Sequence, residues 1–265
     1  MIQRVLAIAG NTFRETVRDK ILYNLILFAL IMILSSLVLG QLTLGNGDKV
    51  ILDLGLASIS IFGTMIAIFI GIGLVYKELE KRTVYALLAK PVRRSELIVG
   101  KYLGLLFTLL VNLLVMTVGL ELALLYTGQM NAGQCLRVLP VVFMIFLSLS
   151  LVTALAILFS TFSTPALSAL FTLFLWIIGH FGNDLNSFGQ TLKSVPVQRL
   201  CRFLYYALPN FADFQILDGR FVLQTVGYSQ TMNWHACAGV VFYCVVYVAL
   251  VLSLGIVIFN RRDFK

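Results

Sequence analysis

Six stretches of the chain, residues 21–42, 54–75, 102–126, 138–160, 165–182 and 236–259, are apolar and almost free of charge. Of 20 Lys and Arg and 12 Asp and Glu, only Glu121 falls inside them. About 20 apolar residues at helical rise cross the hydrocarbon core of a bilayer, so each stretch is long enough or nearly so. A strand-built barrel would show weak alternation over about ten residues, not solid apolar blocks. The expected fold is therefore all-α: a polytopic membrane protein with six transmembrane helices. Composition supports this, with 60% apolar and 12% charged residues against roughly 45–50% and 25% in soluble domains. The first block follows twenty residues that carry Arg4, Arg14, Glu15, Arg18, Asp19 and Lys20. It is too long and too late for a cleaved signal peptide and reads as an anchor.

The net charge of +8 is distributed by side. Segments 1–20, 76–101, 161–164 and 260–265 hold fourteen Lys and Arg, and the alternate segments hold six. Four of those six lie in the long segment 183–235, where the positive-inside rule has least force. Both termini are therefore expected on the cytoplasmic side. The basic excess reads as a topology signal with some attraction to anionic lipid headgroups, and no nucleic-acid partner is expected.

Residues 2–18 place Ile2, Val5, Leu6, Ala9, Phe13 and Val17 at helical spacing, away from Arg4, Arg14, Glu15 and Arg18. That pattern predicts an amphipathic N-terminal helix lying in the cytoplasmic interface. Segment 76–101 pairs Glu78 with Arg82 at the favourable i,i+4 order and offers Leu79, Val84, Leu87 and Leu88 for an apolar face. Pro91 disfavours helix at Lys90, and Ser95 followed by Glu96 reads as a fresh N-cap. The pattern predicts a short cytoplasmic helix, a bend and a return to the membrane. An exposed loop needs no apolar helical face, so this segment reads as a docking element for another protein.

Gly100 and Gly104 form a small-x-x-x-small pair that permits close helix approach, with no partner assigned by sequence. Asn112 and Glu121 are the candidate pathway residues. Glu121 lies about 7.5 Å from the outer end of its span at helical rise, so reaching interfacial water and lining a pathway both remain open. Segment 183–235 carries Val197, Leu200, Cys201, Leu204 and Leu208 at helical spacing before Pro209, which predicts short outer helices between spans 5 and 6. A disulfide among Cys135, Cys201 and Cys237 is open. Met232, His235 and Cys237 gather soft-metal ligands in a weak pattern for which interfacial Trp and His with a buried Cys are the commoner explanation, so no metal site is assigned.

No G-x-x-x-x-G-K-[ST] loop, H-E-x-x-H helix or G-x-S-x-G elbow occurs. The chain is not expected to be an enzyme or to hold a cofactor. A secondary transporter or channel is the rival reading, but such proteins concentrate charged groups near the midplane and often show repeated halves. Here the central thirds of the spans offer Asn112 and scattered Ser and Thr.

Several motifs resemble a known family. They are Glu80-Lys81-Arg82-Thr83, Leu87-Leu88-Ala89-Lys90-Pro91, Arg94, Gly100-Lys101, Leu208-Pro209-Asn210-Phe211 and Arg261-Arg262-Asp263-Phe264. The chain resembles the ABC-2 type permeases of ATP-binding-cassette exporters, and among them the branch associated with maturation of multicopper enzymes such as nitrous oxide reductase. The resemblance covers nearly the whole chain as one transmembrane domain, with residues 1–20 as connecting helix, 76–101 as cytoplasmic coupling loop and 183–235 as outer helical segment. Where many relatives have Gly before the Thr, this chain has Arg82.

The resemblance implies a location in the bacterial inner membrane and a separate ATPase subunit that binds ATP and Mg. It also implies a second permease copy in a homodimer and, for that branch, a periplasmic accessory protein. It assigns ATPase coupling to Glu78, Leu79, Glu80, Arg82, Thr83, Val84, Leu87, Pro91 and Arg94, and the connecting helix to Arg14, Glu15 and Arg18.

Overall fold

The computed structural model describes residues 2–42, 47–80, 94–127, 138–181, 198–199, 205, 208–215 and 234–261. Among them no strand occurs. The helices are α1 (Ile2–Val17), α2 (Lys20–Leu42), α3 (Gly47–Glu80), α4 (Arg94–Tyr126), α5 (Val138–Ser160), α6 (Pro165–His180) and α7 (Trp234–Arg261), with a short 3-10 helix at Ala212–Gln215.

Five of these, α2, α3, α4, α5 and α7, are long and apolar enough to cross a membrane. The fifth apolar block also forms a helix, but α6 has 16 residues, about 24 Å at helical rise, and falls short of a hydrocarbon core of about 30 Å. It starts where Thr164 is extended and Pro165 enters the first turn, a position that needs no backbone donor. Ser168 N–H bonds back to the Thr164 carbonyl at 2.8 Å.

Two helices exceed their apolar blocks. α3 runs for 34 residues and carries Glu78, Leu79 and Glu80 in one helix with the span, while the rest of the predicted cytoplasmic helix lies outside the described residues. α4 begins at Arg94, so Ser95 lies inside the first turn and is not the N-cap that the sequence predicts. Glu96 in that turn is buried, where the helix dipole favours a carboxylate.

α3 and α5 are mostly buried, whereas α2 and α7 are mostly exposed and present large apolar side chains such as Phe28 and Phe242 outward, as lipid-facing helices do. Small residues set the packing distances, as they must where hydrocarbon tails compete equally for apolar side chains. A Cβ at Gly63 would lie 2.7 Å from Leu149, and one at Gly71 3.3 Å from Ala156, so α3 and α5 run parallel in close register. Gly55 abuts Leu120 and Gly71 approaches Leu105, so α3 and α4 run antiparallel. Gly119 of α4 receives Leu30 of α2.

Candidate functional site

The end of the bundle formed by the end of α3 and the start of α4 holds Glu78, Leu79, Glu80 and Arg94, and α1 packs beside it. α1 packs along the first turns of α4. A Cβ at Gly100 would lie 2.8 Å from Ile8, and one at Gly104 would lie 2.6 Å from the Ala9 carbonyl oxygen. One turn further on, the Phe13 and Phe107 rings meet edge to face at 4.7 Å. These contacts advance together along both helices, so α1 runs side by side and parallel with the base of α4, not across it as a free interfacial helix would.

The face of α1 that packs on α4 keeps Val5, Ala9, Phe13 and Val17, which are half-buried, but its edges differ from those expected. Thr12 and Thr16 are buried and Leu6 is 60% exposed. The Thr16 hydroxyl donates to the Thr12 carbonyl at 2.8 Å, so a threonine can face a helix neighbour without leaving a polar group unpaired. The glycine pair on α4 thereby acquires the partner that sequence could not name. α1 ends at a bend where Arg18 and Asp19 N–H groups bond to Glu15 and Thr16 carbonyls. The Asp19 carboxylate then accepts from Ile21 N–H at 3.1 Å and caps α2.

Arg14, Glu15 and Arg18 are exposed on the C-terminal turns of α1. The backbone places Glu78, Leu79 and Glu80 at the end of α3 and Arg94 at the start of α4. Arg82, Thr83, Val84, Leu87 and Pro91 lie outside the described residues, as do Met232, Cys135 and Cys201.

In the middle of the bundle a polar knot joins three helices. Tyr102 of α4 donates its hydroxyl to the Ser150 carbonyl of α5 at 3.3 Å. The Ser150 hydroxyl lies 3.3 Å from the Cys244 sulfur of α7, and the Cys244 thiol donates to the Leu147 carbonyl at 3.4 Å. The pairing of Tyr102 with Ser150 spans 48 residues, and no local pattern encodes it. Asn112 is buried, and Glu121 is half-buried near the far end of α4.

At that far end, the Leu208-Pro209-Asn210-Phe211 motif latches α6 to α7. Phe211 N–H donates to the Gly179 carbonyl at 3.0 Å, satisfying a group that the end of α6 leaves open. The Phe211 ring stacks on His180 at 5.7 Å with 11° between planes. Asn210 N–H donates to the Tyr243 hydroxyl at 3.1 Å. Asp213, in the adjoining 3-10 helix, has its carboxyl pushed above the ordinary carboxylate range by burial, an effect that the Asn210 side chain partly offsets. His235 is exposed and Cys237 buried on the first turn of α7. Among the described residues no three His, Cys, Asp or Glu side chains gather to hold a metal ion.

The long, apolar, glycine-packed helices define a multi-pass membrane protein, and the family comparison gives its kind. The model of the ABC-2 family transporter proteins matches residues 6–264, so the chain belongs to that family, the membrane permeases of ABC transporters. No curated protein matches the chain.

Proposed function

We propose that the chain is the membrane-spanning permease subunit of an ATP-binding-cassette exporter in a bacterial inner membrane, paired with a second copy and driven by a separate ATPase subunit. The observation that carries this reading is the end of the bundle where α1 is seated on the base of α4 beside the end of α3. Arg14, Glu15 and Arg18 stand exposed further along α1, and the segment that follows Glu80 joins the ends of α3 and α4. A force applied to that segment acts directly on two spans and, through the glycine seam, on α1. Rigid-body tilting between discrete packings is the mode available to such tightly packed helices.

In this scheme Glu78, Glu80 and Arg82 make ion pairs with the ATPase, and Leu79, Val84 and Leu87 fill its groove. ATP and Mg stay on that partner. The resemblance to the nitrous oxide reductase branch extends the proposal to metalloenzyme maturation with a periplasmic accessory protein, and the positive-inside balance supports cytoplasmic termini.

The test is co-purification of the permease with its ATPase. Glu80→Lys and Leu87→Asp should each weaken the complex and lower ATP-dependent transport in vesicles. Unchanged binding and transport in both variants, or uphill flux by the permease alone without nucleotide, would overturn the reading.

A further inference from the structure

α1 carries its charges to a level where α4 is already apolar. The apolar block of α4 begins at residue 102, and Phe13 of α1 packs on Phe107, about 7.5 Å beyond that border at helical rise. Arg14 follows Phe13 directly, and Arg18 comes one turn later on a helix that runs parallel with α4. Both are exposed. Four residues apart, they share one side of α1, whereas Thr12 and Thr16 are buried.

What meets these arginines is indicated by the chain just beyond them. α1 ends at Val17 and α2 starts at Lys20, and the first turns of α2 expose Ile21, Tyr23, Leu27 and Phe28 at 50–57%. A tyrosine among aliphatic side chains suits the border between headgroups and tails. Two guanidiniums thus stand at the edge of a lipid-facing surface, where bare hydrocarbon would be costly and long stems let the charge reach the headgroup layer. Guanidinium is well shaped for phosphate, which it holds through paired N–H donors. The neighbouring charges are Lys20 and Glu15, both exposed, and Asp19, whose carboxylate accepts from Ile21 N–H. The balance of Arg14, Arg18 and Lys20 against Glu15 and Asp19 is positive. An anionic headgroup complements it, whereas a zwitterionic one would bring an ammonium among three cations. The residues assigned to ATPase docking lie at the ends of α3 and α4, which α1 leaves behind as its contacts advance from Gly100 to Phe107.

We propose that Arg14 and Arg18 bind the phosphate of an anionic phospholipid in the leaflet that meets the bend between α1 and α2, with its tails beside the exposed head of α2. The bound lipid holds α1 at the membrane surface and, through the glycine seam, the base of α4 with it.

The test uses the full chain in detergent micelles, without ATPase, nucleotide or cargo, so its outcome is separate from that of the export reading. Native mass spectrometry compares retention of phosphatidylglycerol with that of phosphatidylcholine carrying the same tails. The wild type should retain phosphatidylglycerol preferentially. Arg14→Gln and Arg18→Gln should each lower that preference about fivefold. Glu15→Gln, which removes a competing negative charge, should raise it, a change that misfolding cannot imitate. No preference in the wild type, a preference unchanged in the Arg14→Gln/Arg18→Gln double variant, or loss of the bound lipid to excess inorganic phosphate would overturn the proposal. So would a double variant that keeps its lipid preference but no longer co-purifies with the ATPase, since these arginines would then be a protein contact.

Discussion

Gly104 of α4 lies so close to Ala9 of α1 that a methyl carbon at position 104 would sit 2.6 Å from the Ala9 carbonyl oxygen and 2.7 Å from Thr12 Cβ. The nearest atom is backbone and cannot swing aside. Alanine ordinarily stabilises a helix interior by about 0.5–1 kcal/mol over glycine, but overpacking costs about 1–3 kcal/mol, so the clash wins. Gly104→Leu should lower the melting temperature and unseat α1, and amide exchange along residues 5–13 should rise. Gly10, which has open space around it, is the control: Gly10→Ala should be neutral or stabilising.

The knot at Ser150 separates a weak contribution from a strong one. Tyr102→Phe removes a bond to a backbone carbonyl, and side-chain bonds between membrane helices average about 0.6 kcal/mol. Its melting temperature should barely move. Ser150→Leu forces a larger side chain between α4, α5 and α7 and should cost about 1–3 kcal/mol. Thermal melts of both variants in the same detergent check the order.

The latch at the far end depends on the bare face of Gly179, where a Cβ would collide with the Phe211 ring and the Pro209 carbonyl oxygen. Gly179→Val should push residues 208–215 off α6. The Phe211 amide, protected by its bond to Gly179, should then exchange faster, while amides in α5 remain unchanged.

Burial raises the Asp213 carboxyl above its ordinary range, so the folded protein holds that proton more tightly than the unfolded chain. Stability should therefore fall as pH rises from the ordinary carboxylate value through the raised folded value, and be independent of this group above it. Asp213→Asn should remove that slope from the melting temperature measured between acidic and neutral pH.

The sequence by itself determined the fold class, because uncharged apolar runs of this length have few ways to be stable outside a membrane. It also located the cores of the described helices, since Pro165 and the charged border at Lys20 act locally, but not the ends of α3 and α4, which run several residues past their apolar blocks. It identified the Gly100/Gly104 pair as a packing surface, and Pro209-Asn210-Phe211 as notable. Tertiary structure alone decided what these surfaces meet: Ile8, Ala9 and Thr12 against the glycines, Gly179 and Tyr243 against the latch, and Cys244 against Ser150. Amphipathic spacing picked out Ala9 and Phe13, which do meet α4, but not Thr12 and Thr16, which are buried beside them because a threonine can bond to its own helix or lie against glycine, while Leu6 points outward where lipid receives it. In water an apolar pattern marks the inside. In a bilayer both sides are apolar, and contact is chosen by small residues and shape, which the chain encodes only in pairs brought together by folding.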